Sequence, residues 1–200
     1  MTDQTNAASR RRAILWGTGL AAVAGGAVVL FVLPAETGID LTGFGKSSGL
    51  SEMANPQAEQ TLARGRQHPE AFVAMDAPPQ EPGARDHWTY QLAPFEEVEL
   101  KYVLAKGATI AFTWKANGPL NYDMHAHPDD GGEALTESYA VARGERQGGR
   151  YTAAFAGIHG WHWQNRGLTP VTLTLDASGR IDGSRLLGGH GQEDRALTPN

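Results

Sequence analysis

From residue 85 onward, apolar and polar residues alternate in short runs, each closed by Gly, Pro, Asn or Asp. The runs read "HWTYQLA", "EVELKYVLA", "TIAFTWKA", "LNYDMHA", "ESYAVAR", "GRYTAAFAG", "HGWHWQN" and "VTLTLDA". A period of two is the signature of a half-buried strand, because successive side chains point to opposite faces. In "VELKYVL" it puts Val98, Leu100, Tyr102 and Leu104 on one face, and in "VTLTLDA" it does the same for Val171, Leu173 and Leu175. Short runs separated by turn signals, with no helical period between them, predict an all-β domain over residues 85–180. The expected architecture is an antiparallel β-sandwich, of jelly-roll or related type.

The pattern upstream is different. Ala13 to Leu33, "AILWGTGLAAVAGGAVVLFVL", is uncharged for about 20 residues, and at roughly 1.5 Å per residue that length spans a bilayer core of about 30 Å. Arg10, Arg11 and Arg12 precede it, and Glu36 and Asp40 follow. The positive-inside bias therefore predicts residues 1–12 as a cytoplasmic basic tail, 13–33 as a single transmembrane helix, and the rest across the membrane. A secretory signal competes, since "RRAIL" has the paired arginines of a twin-arginine signal. The apolar run is longer than the roughly 7–15 residues of a signal core, however, and "FVLPAETG" has no small-x-small cleavage site. The expectation is an uncleaved anchor in the inner membrane, with the C-terminal domain in the periplasm. Residues 34–84, rich in Pro, Gly, Ala, Gln and Ser, predict a juxtamembrane stalk carrying one short helix from about Pro56, at the first helical position, to Arg64. Residues 181–200 lose the alternation and predict a flexible tail, which makes His190 a poor ligand.

Composition narrows the chemistry. There is no cysteine, so no disulfide, thiolate metal site or cysteine nucleophile exists, and a metal would need His, carboxylate or Met ligands. The formal net charge is −5, and residues 1–12 hold three Arg and one Asp, which leaves −7 for the remainder. That sign repels nucleic acid and anionic headgroups, so no nucleic-acid partner is expected. The chain lacks a G-x-S-x-G element, and turns and surface charge account for the pairs Asp129/Asp130 and Glu96/Glu97. The sequence thus reads as a non-enzyme.

Two stretches carry candidate chemistry. In "NYDMHAHPDD", Asp123, His125 and His127 share one strand face. Alternate residues stand about 7 Å apart, wide for one ion, so a bulge or turn near Pro128 would help to converge them. The same alternation describes the wet face of an ordinary strand. In "GIHGWHWQN", His159, Trp161 and Trp163 alternate on one face and His162 sits on the other, unless a bulge at Gly160 brings the two histidines together. If this strand pairs with "LNYDMHA", then Asp123, His125 and His127 with His159 or His162 would suit zinc or copper(II). The rival reading buries the tryptophans and uses a histidine or carbonyl to satisfy an indole N–H. Exposed, Trp161 and Trp163 with Asn165 would instead form a contact surface for a partner.

The order of motifs resembles a bacterial family described as transmembrane anchor proteins. The resemblance rests on "VLPAETGIDLTGFGKSSGLSEM", "IAFTWKANGPLNYDMHAHPDD" and "AAFAGIHGWHWQNRGLTPVTLTL", and covers most of residues 13–175. The "HGW" and Asn165 pattern is also similar to GOLD-type β-sandwiches, which mediate protein and cargo interactions. The resemblance implies a single N-terminal span, an extracytoplasmic β-rich domain and a loose association with metal-permease-like membrane proteins; it implies no catalytic residues. Asp123, His125, Pro128, His159, Gly160, Trp161 and Asn165 match it, whereas His127 and His162 depart from it. Two functions are therefore expected: a membrane-anchored module that docks a membrane or periplasmic protein, or metal capture and delivery through the His/Asp cluster.

Overall fold

A computed structural model describes residues 18–19, 21–53, 57–188 and 191–199. The chain divides into two compact units, 1–58 and 59–200. In the first, residues 21–37 are helical, passing through a π-helical turn at Val28–Val32 into helix α1, Leu33–Thr37, with short helices α2, Phe44–Ser47, and α3, Leu50–Met53, beyond. Asp40 orders the loop between α1 and α2, its carboxylate accepting from the backbone N–H of Gly43 and of Lys46, each at 2.8 Å. Among the described residues no helix is long and apolar enough to cross a membrane. Residues 13–17 and 20 of the expected span lie outside the described residues, as do the basic tail 1–12 and Pro56.

The second unit opens within helix α4, Ala58–Gly65, close to the expected short helix, and its described residues continue in nine strands. They are β1 Phe72–Ala74, β2 Ala84–Leu92, β3 Glu97–Leu104, β4 Thr109–Pro128, β5 Glu137–Thr152, β6 Gly157–Gln164, β7 Val171–Gly179, β8 Gly183–Gly188 and β9 Gly191–Arg195. Every pairing is antiparallel. The N-terminal half of β4 lies between β7 and β5, and its C-terminal half between β6 and β5. One layer therefore runs β2-β7-β4-β5-β1 and the other β9-β8-β3-β6-β4-β5, with β4 and β5 passing between them.

The layers meet through aromatic rings. Phe112 lies 4.5 Å from Trp161, Trp114 5.9 Å from Trp163, and Trp88 6.0 Å from Trp163. Aromatic side chains bury the largest area per residue, which lets a small sandwich with few aliphatics close its core. The expected faces hold: Val98, Leu100, Tyr102, Leu104, Val171, Leu173 and Leu175 are all buried.

Three expectations are corrected. The runs 109–116 and 120–126 form one strand, because "NGP" at 117–119 makes a bulge rather than a turn: Lys115 pairs with Arg146 but Leu120 already pairs with Gly144. Pro119 is tolerated where the ladder is interrupted and no N–H is required. Second, the stalk ends early, since β1 pairs with the end of β5. Third, residues 181–200 are no loose tail: β8 pairs with β3, and β9 with β8. At the end of β9, Arg195 pairs with the carboxylate of buried Asp86; beyond the strand the Thr198 N–H donates to it at 2.9 Å, and the Tyr102 hydroxyl donates to it at 2.7 Å. A buried carboxylate needs such partners, and it anchors the segment that the loss of alternation concealed. His190 lies outside the described residues.

Candidate metal centre

The outer face of the second layer is a grid set by register. Across β3, β6 and β4 the rows are Glu99, His162, Asp123; then Lys101, Gly160, His125; then Val103, Ile158, His127. The middle of the central row has no side chain. Strands stand about 4.8 Å apart, so Lys101 and His125 are two spacings from each other and meet only because Gly160 leaves the space between them open. A Cβ at Gly160 would come within 2.0 Å of the Leu100 carbonyl oxygen, so the strands approach too closely there for any other residue.

Into this gap Lys101 extends, fully buried, and donates from Nζ to the His125 carbonyl at 3.0 Å. Glu99 leans into it from the neighbouring row. Its Oε1 stands 3.0 Å from Lys101 Nζ, 3.1 Å from His125 Nε2 and 3.7 Å from His127 Nε2. Ligand-type atoms of Glu99, His125 and His127 all lie within 4.8 Å of one another. A register shift between β4 and β5 helps: Met124 pairs with Ala140 but His125 with Ser138, leaving Tyr139 as an extra residue. The His125 and His127 rings are thereby 4.9 Å apart, closer than the roughly 7 Å of flat alternate positions. The bulge expected near Pro128 thus falls a few residues earlier.

The other ring nitrogens are held from behind. His125 Nδ1 lies 3.2 Å from the Asp123 carbonyl, and His127 Nδ1 lies 2.7 Å from Thr136 Oγ1. Asp123 Oδ2 accepts from Ser138 Oγ at 3.1 Å, so Asp123 supports the site from the side. Burial, and then the Lys101 charge, push the His125 pKa down and keep the imidazole neutral. Burial works to raise that of Glu99, but Lys101 and the two imidazoles outweigh it and hold the carboxylate well below its usual range. Burial lowers the Lys101 pKa, against the pull of Glu99.

The remaining expected site residues are elsewhere. Strand β6 pairs without interruption through Gly160 on both sides, so the bulge that would have united His159 and His162 is absent. His159 faces the core, its Nδ1 2.8 Å from the Tyr151 hydroxyl, and burial pushes its pKa down to about 3. His162 faces outward, 3.5 Å from Glu97, whose pKa that contact lowers to about 2. Trp161 and Trp163 are fully buried, and the Trp161 indole donates to Gln147 at 2.9 Å. Asn165 is buried too; its Nδ2 donates to the carbonyls of Ala93 at 3.0 Å and Thr169 at 2.8 Å, tying two turns together. The three residues considered as a contact surface are core and turn ties instead, in keeping with the area an indole buries.

Glu99 and Lys101 escaped the sequence reading. Their signal is a pair of opposite charges on the polar face of "VELKYVL", which reads as solvated surface until β3 is known to lie beside β6. These features define a class: an antiparallel two-layer β protein with a two-histidine, one-carboxylate centre on the outer face of a layer, backed by a buried lysine. No family model matches the chain, and no curated protein matches it.

Proposed function

We propose that the chain is a binding module in which Glu99, His125 and His127 hold a divalent transition metal, zinc or copper(II). One observation carries the reading. The two nitrogens of His125 face oxygen atoms that have no proton to offer, the Asp123 carbonyl and the Glu99 carboxylate. A neutral imidazole has one N–H, so one of those contacts has no proton to place between its two atoms. A cation between Nε2 and Oε1 removes the conflict. The spacing suits it, because ligands about 2.1 Å from a tetrahedral ion stand about 3.4 Å apart. The observed 3.1 and 3.7 Å lie on either side of that value. Nδ1 held by a carbonyl or hydroxyl, with Nε2 turned inward, is the usual arrangement behind a histidine ligand. Two imidazoles and a carboxylate leave one position open, which suits capture and hand-over.

Titrating the full-length chain with zinc and with copper(II) tests this. The expected result is saturable binding at about micromolar or tighter, roughly −8 kcal/mol, weakened at least tenfold in Glu99→Gln and in His125→Ala. His159→Gln and His162→Gln retain wild-type affinity. Absence of saturable binding, or equal dependence on His159, removes this site.

A second reading concerns placement: residues 13–33 tether the module to an inner-membrane bilayer, the domain lies in the periplasm, and the GOLD-like sandwich docks a membrane or periplasmic protein there. It is supported by the apolar residues Val23, Val28, Phe31 and Val32, which are between 45% and 71% exposed along a helical stretch that follows three arginines. The expected result is that full-length chain sediments with membranes and resists high-salt washing, whereas a chain beginning at Pro34 does not. Full-length chain in the supernatant refutes the tether.

A further inference from the structure

We infer that Lys101 is a tethered cation that occupies Glu99 in the metal-free protein and must give it up when metal binds, which makes this an exchange site rather than a structural one. The inference rests on the metal reading of Glu99, His125 and His127. Lys101 has no exposure and lies on a strand paired on both sides, by β6 and β8. A buried ammonium is stable only beside a counter-charge, and its nearest is Glu99 Oε1 at 3.0 Å. That same oxygen is the one the two imidazoles face. It is itself buried, and none of these approaches has hydrogen-bond alignment. Two cations thus contend for one oxygen atom.

Their charges repel strongly at such separations in a medium poorer than water, so the ion cannot simply join the ammonium. Once metal holds Glu99, Lys101 keeps the His125 carbonyl at 3.0 Å and the attraction of Asp123, one row away. Both states therefore have a partner for every charge. Closed structural zinc sites fill all four positions with protein ligands, which the three residues here do not. A resident cation weakens the metal-bound state relative to the free one, and it speeds release by standing ready to re-form the pair with Glu99.

The test compares zinc affinity and release in full-length wild type, Lys101→Met and Lys101→Gln, by calorimetry at one pH and by the rate of transfer to a chelator. Methionine keeps an unbranched, flexible stem in the gap without the charge. Both variants are expected to bind zinc about tenfold more tightly or better, equivalent to about 1.4 kcal/mol, and to release it more slowly. In the wild type, saturating zinc shifts the nitrogen resonance of the Lys101 ammonium, a readout that does not depend on either variant folding. Wild-type or weaker affinity in a folded variant, or an unmoved Lys101 resonance at saturation, overturns the inference while leaving the metal site standing. Absence of zinc binding in all three proteins overturns the metal reading and this inference together.

Discussion

Gly160→Ala is expected to destabilise the protein by about 3 kcal/mol or to prevent folding, the upper end of what overpacking costs. Strand β6 is hydrogen-bonded to β3 on one side and β4 on the other, so the backbone at Gly160 has no free edge toward which to move. The added Cβ would lie 2.0 Å from a backbone oxygen and 3.0 Å from the Lys101 Cα, and neither belongs to a flexible side chain. Gly183→Ala is the control: there the nearest atom is a Val103 methyl at 3.5 Å, an ordinary contact. Urea unfolding of the two variants beside wild type measures the difference. A Gly160→Ala protein within about 0.5 kcal/mol of wild type would contradict the close approach on which the whole centre depends.

Acid is expected to begin destabilising the domain before most of its carboxylates are titrated. His159 is neutral in the folded state down to about 3, whereas its ordinary value is 6.5. Between those values the unfolded chain binds the proton and the folded chain does not, so stability falls as pH falls, by about 1.4 kcal/mol per unit. The contribution is fully present above 6.5, and its loss approaches about 5 kcal/mol as pH nears 3. His125, also held down by burial, adds a loss of the same sign. Glu97, lowered to about 2, joins only below its ordinary 4.5. The informative window is therefore 6.5 to 4.5, where denaturant melts of His159→Phe should show a shallower slope than wild type. Comparing slopes removes the cost, constant across pH, of leaving the Tyr151 hydroxyl without its partner. Equal slopes would mean that His159 is protonated in the folded protein.

Much of the architecture was legible in the strand runs. The alternation in β3 and β7 identified buried faces residue by residue, and "LNYDMHA" pointed to His125 and His127. Breakers were where the reading failed. "NGP" is a turn signal by composition, yet within β4 it is a bulge, because only the neighbouring strands decide whether the chain reverses or bends. The C-terminal strands were hidden for a related reason: β8 and β9 are short, rich in glycine and charge, and so carry no alternation. Their order comes from β3 and from the carboxylate of Asp86, both distant in the chain.

The centre divides along the same line. Alternation alone placed His125 and His127 on one face and set His159 opposite His162, because side-chain direction along a strand is a local property. Which third ligand they meet is not local. Glu99 reaches them because β3, β6 and β4 lie side by side in one register, with glycine at the middle position, so that two charged side chains cross a strand that would otherwise separate them. Sequence determined the faces; the pairing of strands far apart in the chain decided the neighbours, since a ladder's register is set by the packing of its whole buried face.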